Sequence, residues 1–323
     1  MKAIVREIYG SPDVLELKDV RGPVPQEDEV LVRVHAASLN TADVDFLRGR
    51  PIISRLGYGL LKPKNKILGL DVAGRVEAVG PESTQLQPGD EVWADLSGSG
   101  YGAFAEYVCA PEKVFALKPA GITFEEASTV PHSGVLALQG LRGKRAIEPG
   151  HKVLIIGAGG CVGPFAVQLA KSFGAEVTGV DASEKLDLIR STGADHVIDY
   201  RQEDFTKNGQ RYDLILDIAA QRSVLKYRRS LSRRGSYVLI AHSLTGFFQA
   251  FFLGALISVA GSKRMGIFMW YPSKREDLDF LKKLLESGEI KPAIDRRYVL
   301  DEVPEALRYQ EDGRARGKVV ITI

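Results

Sequence analysis

Three short stretches carry the side chains best suited to chemistry. SLNTADVDF (38–46) offers the amide of Asn40 and the carboxylates of Asp43 and Asp45. GYGLLKPKNK (57–66) holds the phenol of Tyr58 between two glycines. IIGAGGCVGPFAVQLAK (155–171) places Gly157, Gly160 and Gly163 between an apolar run and an apolar-faced helical pattern. An amide can donate to a carbonyl oxygen that gains negative charge, and a phenol can give up a proton. Glycines at a strand–helix junction permit a tight turn and let the backbone approach a pyrophosphate, whose charge the helix N-terminus then favours.

The third stretch departs from the strict GxGxxG string, because Val162 fills the last slot and the glycines recur at every third position. Its strand–turn–helix context still argues for a dinucleotide. The next strand ends in Asp181, about 20 residues on, where a carboxylate accepts hydrogen bonds from the adenosine ribose. That charge repels a 2′-phosphate and favours NADH over NADPH, whereas Ser183 and Lys185 together could hold a phosphate. Cys161 lies within the loop, as a small residue in a glycine-sized place or as a thiol whose pKa the helix start lowers.

These residues need elements to position them. Residues 1–123 read as short strands split by Gly, Pro and Asp, among them KAIVREI, EVLVRVHAA, DVAGRVEAVG and DEVWADL, and predict a largely antiparallel β domain. Thr123 with Glu126 three residues on marks a helix start, and Pro131 predicts a break or kink in the helix that follows. From about 150 the rhythm becomes strand, helix, strand, helix, which means a doubly wound parallel sheet. The tail, with helices EDLDFLKKLLESG and EVPEALRYQEDG and the strand KVVITI, is expected to return to the first domain.

Composition narrows the function classes. The 43 basic and 41 acidic residues leave a net charge of +2, so bulk electrostatics selects neither nucleic acid nor an acidic surface. The two cysteines, with no CxxC, exclude a cysteine-built zinc cluster and suit a reducing cytoplasm. MKAIVREIYG reads as a strand into a turn rather than a secretory signal. KYRRSLSRR (226–234) is expected on one helix, with Arg233 and Arg234 near its C-terminus, as a solvated face in preference to an RNA surface. The uncharged stretch 244–262 predicts a substrate-facing or buried segment, with peripheral membrane contact as the alternative.

VHAASLNTADVDFLRG, GLDVAGRVEAVG, QPGDEVWADL, GAFAEYV, LIIGAGGCVGPFAVQLAK, STGADHVIDY and ARGKVVITI together resemble the medium-chain dehydrogenase/reductase superfamily, in its zinc-free quinone oxidoreductase branch. The resemblance implies a GroES-like domain over 1–123 and 268–323, a Rossmann domain over 124–267, a cleft between them as the active site, and a homodimer. Zinc relatives carry a cysteine where Asn40 stands and a His-Glu pair where Leu70-Asp71 stand. Asn, Leu and Asp do not reproduce that thiolate–imidazole set, so the chemistry expected is metal-free. It would be hydride transfer from NAD(P)H to a quinone or an α,β-unsaturated carbonyl, with Asn40 donating to the substrate oxygen or positioning the nicotinamide. Asp43 would brace the loop, through Arg48, and Asp45 would be an ordinary solvated charge.

No general acid stands out: Tyr58 reads first as a surface aromatic, though it could supply the proton if its loop folds over the site, or water could. His132 is expected as a capping or core residue. Tyr200 would pack near the adenosine, and the strand ends at Ile218 and Ala241 would line the dinucleotide groove. Two alternatives stay open: a metal-free carbonyl reductase or alcohol dehydrogenase, and a low-turnover NAD(P)-binding protein acting as a membrane- or RNA-associated partner.

Overall fold

The computed structural model describes residues 1–143, 146–220, 223–240, 262–267, 270–272 and 274–323. Ala241 and residues 244–261 therefore lie outside the described residues, and with them the readings placed there. The chain divides into two compact units: Met1–Val135 with Tyr271–Gly288 and Pro292–Ile323, and Leu136–Trp270 with Glu289–Lys291.

The strands of the first half are β1 (Lys2–Val5), β2 (Glu16–Asp19), β3 (Glu29–Ser38), β4 (Asp71–Val79), β5 (Glu91–Asp95), β6 (Tyr107–Pro111) and β7 (Ala116–Leu117). Then come β8 (Lys152–Ile156), β9 (Glu176–Asp181), β10 (His196–Asp199), β11 (Tyr212–Asp217), β12 (Leu231–Leu239) and β13 (Arg264–Ile267). The last are β14 (Ile294–Val299) and β15 (Lys318–Thr322). The helices are α1 (Thr41–Arg48), α2 (Arg55–Tyr58), α3 (Phe124–Ser128), α4 (Pro131–Arg142) and α5 (Gly163–Ser172). They continue with α6 (Leu186–Ser191), α7 (Val224–Ser230), α8 (Arg275–Glu286) and α9 (Val303–Glu311).

The first unit is built on a seven-stranded sheet in the order β14-β15-β3-β4-β5-β7, with β6 also on β3. All its pairings are antiparallel except β14 with β15. Alternation in EVLVRVHAAS puts Val30, Val32 and Val34 into the core and leaves Arg33 outside. The tail returns as expected: β15 pairs with β3 in the register Val320↔Ser38, Ile321↔Ala37 and Thr322↔Ala36. Helix α8 buries Leu278, Leu281, Leu284 and Leu285, one stripe of a 3.6-residue repeat.

The second unit holds a six-stranded, wholly parallel sheet in the order β10-β9-β8-β11-β12-β13. The central strand β8, KVLII, buries Val153, Leu154, Ile155 and Ile156 in succession, as a strand covered on both faces does. The order reverses direction between β8 and β11, and the loops at the carboxyl ends of these strands carry the glycine-rich stretch and Ile218.

Two local expectations hold and one does not. Thr123 Oγ1 accepts from Glu126 N at 3.1 Å while the Glu126 carboxylate accepts from Thr123 N at 2.9 Å, and the helix breaks before Pro131. Arg233 and Arg234, however, stand on β12 and not on a helix. Leu231 already pairs with Tyr212, and the register then slips until Ser236 meets Leu214, so the two arginines project from the irregular stretch into solvent. The basic cluster is thus split between helix and strand.

Candidate active site

Asn40 begins α1 with an extended backbone, φ −129° and ψ 159°. The Asp43 carboxylate turns back to accept from Asn40 N at 2.8 Å, which satisfies one N–H ahead of the helix start. Asp43 therefore does brace the loop, but by capping the Asn40 backbone. Arg48 takes no part, because its guanidinium makes a two-pronged pair with Glu311 at 2.7 and 2.8 Å. Helix α1 stops at Gly49, whose φ of +64° is left-handed backbone suited to glycine.

The Asn40 side chain does not cap the helix. It points into a buried polar network that joins five distant parts of the chain. Its Nδ2 donates to Asp71 Oδ2 at 2.9 Å, and its Oδ1 accepts from Ser133 Oγ at 3.0 Å and from Lys318 Nζ at 2.7 Å. The Lys318 ammonium also reaches Asp71 Oδ2 at 3.2 Å and Ser133 Oγ at 3.1 Å. Ser38 Oγ, with one proton to give, lies 2.8 Å from Ser128 O and 3.1 Å from Asp71 Oδ2. On the far side, Asp71 Oδ1 accepts from the His132 backbone N–H at 2.8 Å, and His132 Nδ1 pairs with Asp95 Oδ2 at 3.0 Å.

Burial sets the energetics. Lys318 is 1 % exposed and Asn40 2 %, while Asp71, Asp95 and His132 are also buried. Charges removed from water persist only when paired and hydrogen-bonded, and Asp71 meets that condition through the Asn40 amide, the His132 N–H and the Lys318 ammonium. Lys318 and Ser133, both donors, together dictate which end of the Asn40 amide is oxygen. The amide is thereby held in one orientation. Burial opposes the charged ring of His132, but Asp95 and then Asp71 outweigh it and raise its pKa. Asp43 is pushed up to about 7 by burial, with Asp71 adding to the rise.

Asp45 is not a plain solvated charge: it is half-buried, and burial lifts its carboxyl to about 6. Tyr58 is not a bare surface aromatic either. Its ring meets Phe46 edge-on at 5.0 Å and Tyr101 at 5.8 Å, and Phe46 and Tyr101 are themselves 4.9 Å apart. Tyr101 holds a φ of +67°, unusual for a residue with a side chain, and burial followed by the nearby Tyr58 raises its phenol above the ordinary range.

In the second unit the glycine-rich stretch forms a turn in which side chains are excluded one by one. Gly157 has φ +83°. A Cβ on Gly159 would lie 2.6 Å from Lys185 Cβ, and one on Gly163 would lie 2.2 Å from the Ala158 carbonyl oxygen. Gly160 is different, because a Cβ there meets nothing closer than 3.6 Å. Val162 stands before the first turn of α5 with no side-chain cap, and since Pro164 in that turn has no N–H, the other N–H groups of the turn are the donors an anion would meet.

Asp181 ends β9 with Oδ2 accepting from Gly159 N at 2.9 Å and Oδ1 accepting from Ala182 N at 2.8 Å. The Lys185 stem crosses Gly159, while Ser183 is exposed. Tyr200 N donates to Asp181 O at 3.2 Å, and Ile218 N to Ile156 O at 3.0 Å, which brings both sequence candidates to the carboxyl end of the sheet. Cys161 is buried in the loop, and neither cysteine is in a disulfide. These features fit a dinucleotide: the helix start is uncapped, and the crowded glycines hold the turn close to helix and strand.

Sequence reasoning missed Lys318, Ser133, Ser38, Asp95 and Gly159. A lysine opening the apolar strand KVVITI was the available signal, since an ammonium in a covered strand requires a buried partner. Among the described residues there is no group of three or more His, Cys, Asp or Glu placed to hold a metal ion.

Two family descriptions match the chain: an alcohol dehydrogenase GroES-like domain over residues 26–120 and a zinc-binding dehydrogenase domain over 192–321. A 2-methylene-furan-3-one reductase of Solanum lycopersicum is 36% identical over 99% of this chain and 79% of its own length. The solved quinone oxidoreductase of Coxiella burnetii superposes with a TM-score of 0.89 at 28% identity, covering 100% of this chain and 99% of that one. The Escherichia coli quinone oxidoreductase complexed with NADPH gives 0.85 at 25% identity, with 100% of both chains covered. Fold, cradle and relatives define an NAD(P)-binding oxidoreductase. The chain belongs to the medium-chain dehydrogenase/reductase superfamily, in its zinc-free quinone oxidoreductase branch.

Proposed function

We infer that the protein reduces quinones or α,β-unsaturated carbonyls with NAD(P)H and without zinc. The observation that carries the reading is the Lys318 ammonium bonded to both Asn40 and Asp71. Those two residues occupy positions where zinc relatives have ligands. Here a buried cation already compensates the Asp71 carboxylate, and an amide with one carboxylate is a poor set for zinc.

When bound, the nicotinamide supplies a hydride. The chain's own groups do the rest. The N–H groups of Gly157, Ala158, Gly159 and Gly160 are taken by Val180 O, Asp181 and Gly157 O, so the remaining N–H groups at the start of α5 would bind the pyrophosphate, and Asp181 would take the ribose hydroxyls with the lone pairs its loop contacts leave. Asn40 uses one N–H on Asp71, and the second is left to meet the oxygen on which an enolate or hydroquinone charge develops. Because Lys318 and Ser133 fix the amide, this donor needs no reorganisation during the reaction. Asp43 holds the loop. Tyr58 is the proposed proton donor for carbon, a role that matters for enones; a hydroquinone oxygen takes its proton readily from water. A homodimer is the proposed assembly, with the β13 edge of the parallel sheet as its seam.

The test is oxidation of NADH and of NADPH by a small quinone and by an enone, with chelator present throughout. Turnover that survives chelation with at least one acceptor supports the reading. Binding of cofactor with no reduction of either acceptor removes it, and leaves the low-turnover binding protein in its place.

A further inference from the structure

Residues 50–66, RPIISRLGYGLLKPKNK, present the most concentrated apolar surface of the described chain. Twelve large hydrophobic side chains are exposed, and five of them, Ile52, Ile53, Leu56, Leu60 and Leu61, fall within ten residues at 61–86 % exposure. The same stretch carries Arg50, Arg55, Lys62, Lys64 and Lys66 and no acidic residue. Single exposed leucines are ordinary, but a local group of five marks a surface that meets something.

The segment is held in shape and not merely extended into solvent. Tyr9 Oη donates to Gly59 O at 2.7 Å and to Tyr58 O at 3.1 Å. Arg55 donates to Gly49 O at 2.9 Å and Arg48 O at 3.1 Å, with its guanidinium 4.4 Å from the centre of the Tyr9 ring. Arg6 reaches the carbonyls of Phe46 and Asn65, and Lys64 N donates to Tyr58 O at 2.8 Å. Gly59 turns at φ +112°, where a Cβ would sit 2.0 Å from Lys62 O. With Tyr58, Gly59 and Pro63 turned inward, the five aliphatic side chains are left facing water. Arg50, Lys62 and Lys64 are exposed beside them, whereas Lys66 pairs with Glu7 at 2.8 Å.

We propose that residues 50–64 dock on an anionic lipid surface, with Leu60, Leu61 and the neighbouring aliphatics entering the headgroup–acyl boundary and Arg50, Lys62 and Lys64 lying on the phosphates. Charge complementarity selects this occupant: apolar side chains rimmed by cations in excess, with Glu7 the nearby anion and already paired with Lys66, match an acidic bilayer, and would be an unusual seat for a second copy of the same basic patch. Docking here would give a lipid-dissolved acceptor a short route to the protein, but the inference does not depend on any catalytic reading.

Co-sedimentation of the full chain with vesicles of phosphatidylcholine, alone or with about one-third phosphatidylserine, tests it. Binding is expected to the anionic vesicles and to fall at high salt. Lys62→Gln with Lys64→Gln should weaken it about 25-fold, about fivefold per lysine. Leu60→Ser with Leu61→Ser should weaken it at least tenfold, and Leu117→Ser, an exposed leucine elsewhere, should leave it unchanged. A Leu61→Trp probe should shift its emission to the blue only with anionic vesicles. Matched thermal melts separate docking from misfolding. Vesicle binding that none of the segment's substitutions alters would overturn the proposal, as would a wild-type chain that stays in the supernatant. Loss of self-association in the leucine variant, or a changed KM for a water-soluble quinone, in either case without lipid binding, would overturn it too and make the segment a dimer contact or a substrate lid.

Discussion

The two units prepare their sites by opposite means. The parallel-sheet unit works by leaving side chains out: at Gly159 and Gly163 a single added carbon would strike neighbouring atoms, and the functional groups are backbone N–H donors. The antiparallel unit works by putting side chains in, burying a lysine, a histidine and three aspartates in one polar network. A site made of backbone tolerates almost no change of size at its crowded positions. A site made of buried charges tolerates almost no change of charge, because each member is solvated only by the others.

The sharpest way to break this contrast is at Lys318. Lys318→Met keeps the stem but strands Asp71 without its cation, and removing one partner of a buried ion pair costs about 3–5 kcal/mol. Urea unfolding of the variant should show that loss. Adding Asp71→Asn should recover a large part of it, since the charge that needed compensation is gone. If Lys318→Met alone unfolds like the wild type, the ammonium does not carry the network.

Asp43 tests the same unit through pH. Its folded pKa of about 7 lies above that of an unfolded aspartate. Between about pH 4 and 7 the folded state keeps a proton that the unfolded chain has released, so stability falls as pH rises through that window. His132 acts in the same direction: its folded pKa is raised, and its contribution, complete below about pH 6.5, is lost as pH rises through the folded value. Carboxylates with lowered pKa, such as Glu91, act in the opposite sense but at lower pH. From pH 5 to 8 the wild type should lose about 2–3 kcal/mol on account of Asp43, and Asp43→Asn should flatten that slope. An unchanged slope would mean that Asp43 is ionised throughout.

These predictions also separate what sequence could show from what it could not. The parallel sheet, the cradle and the returning tail were legible because their signals are local: apolar runs, glycine spacing, a capping pair. Asn40 was legible through its place ahead of α1. Its partners were not, because Lys318 lies 278 positions away and Ser133 lies 93. The lysine that opens KVVITI signals that a buried partner is needed, but nothing local says which residue that partner is. The basic cluster failed for a related reason, since the slip of β12 against β11 that carries Arg233 and Arg234 outward is a property of the pairing and not of either strand.

In the parallel unit, two glycines three residues apart should fail differently. Gly163→Ala drives a carbon into the Ala158 backbone and should cost about 1–3 kcal/mol of stability, with cofactor binding lost as well. Gly160→Ala would meet only Gly157 O, at 3.6 Å, an ordinary van der Waals contact, so its melting temperature should be that of the wild type. If Gly160 is small to let a pyrophosphate approach, its affinity for NAD(P)H should nevertheless fall at least tenfold. Normal affinity in Gly160→Ala would remove that glycine from the site and leave the turn a matter of packing.

The smallest effect expected, and the most informative about the cofactor, is at Asp181. A carboxylate about 4 Å from a 2′-phosphate repels it by about 1 kcal/mol in water and about 4 at an intermediate dielectric. Asp181 also accepts from Gly159 N and Ala182 N, so its removal loosens the loop for both cofactors. The absolute constants therefore mislead, and the ratio is what counts. Asp181→Ala should move the NADPH-to-NADH ratio of kcat/KM upward by about fivefold or more, while Lys185→Ala should move it downward if the lysine across Gly159 reaches the phosphate. A ratio that ignores Asp181 but answers to Lys185 would mean that the ammonium governs selectivity, and that the carboxylate at the end of β9 serves only to hold the glycine turn.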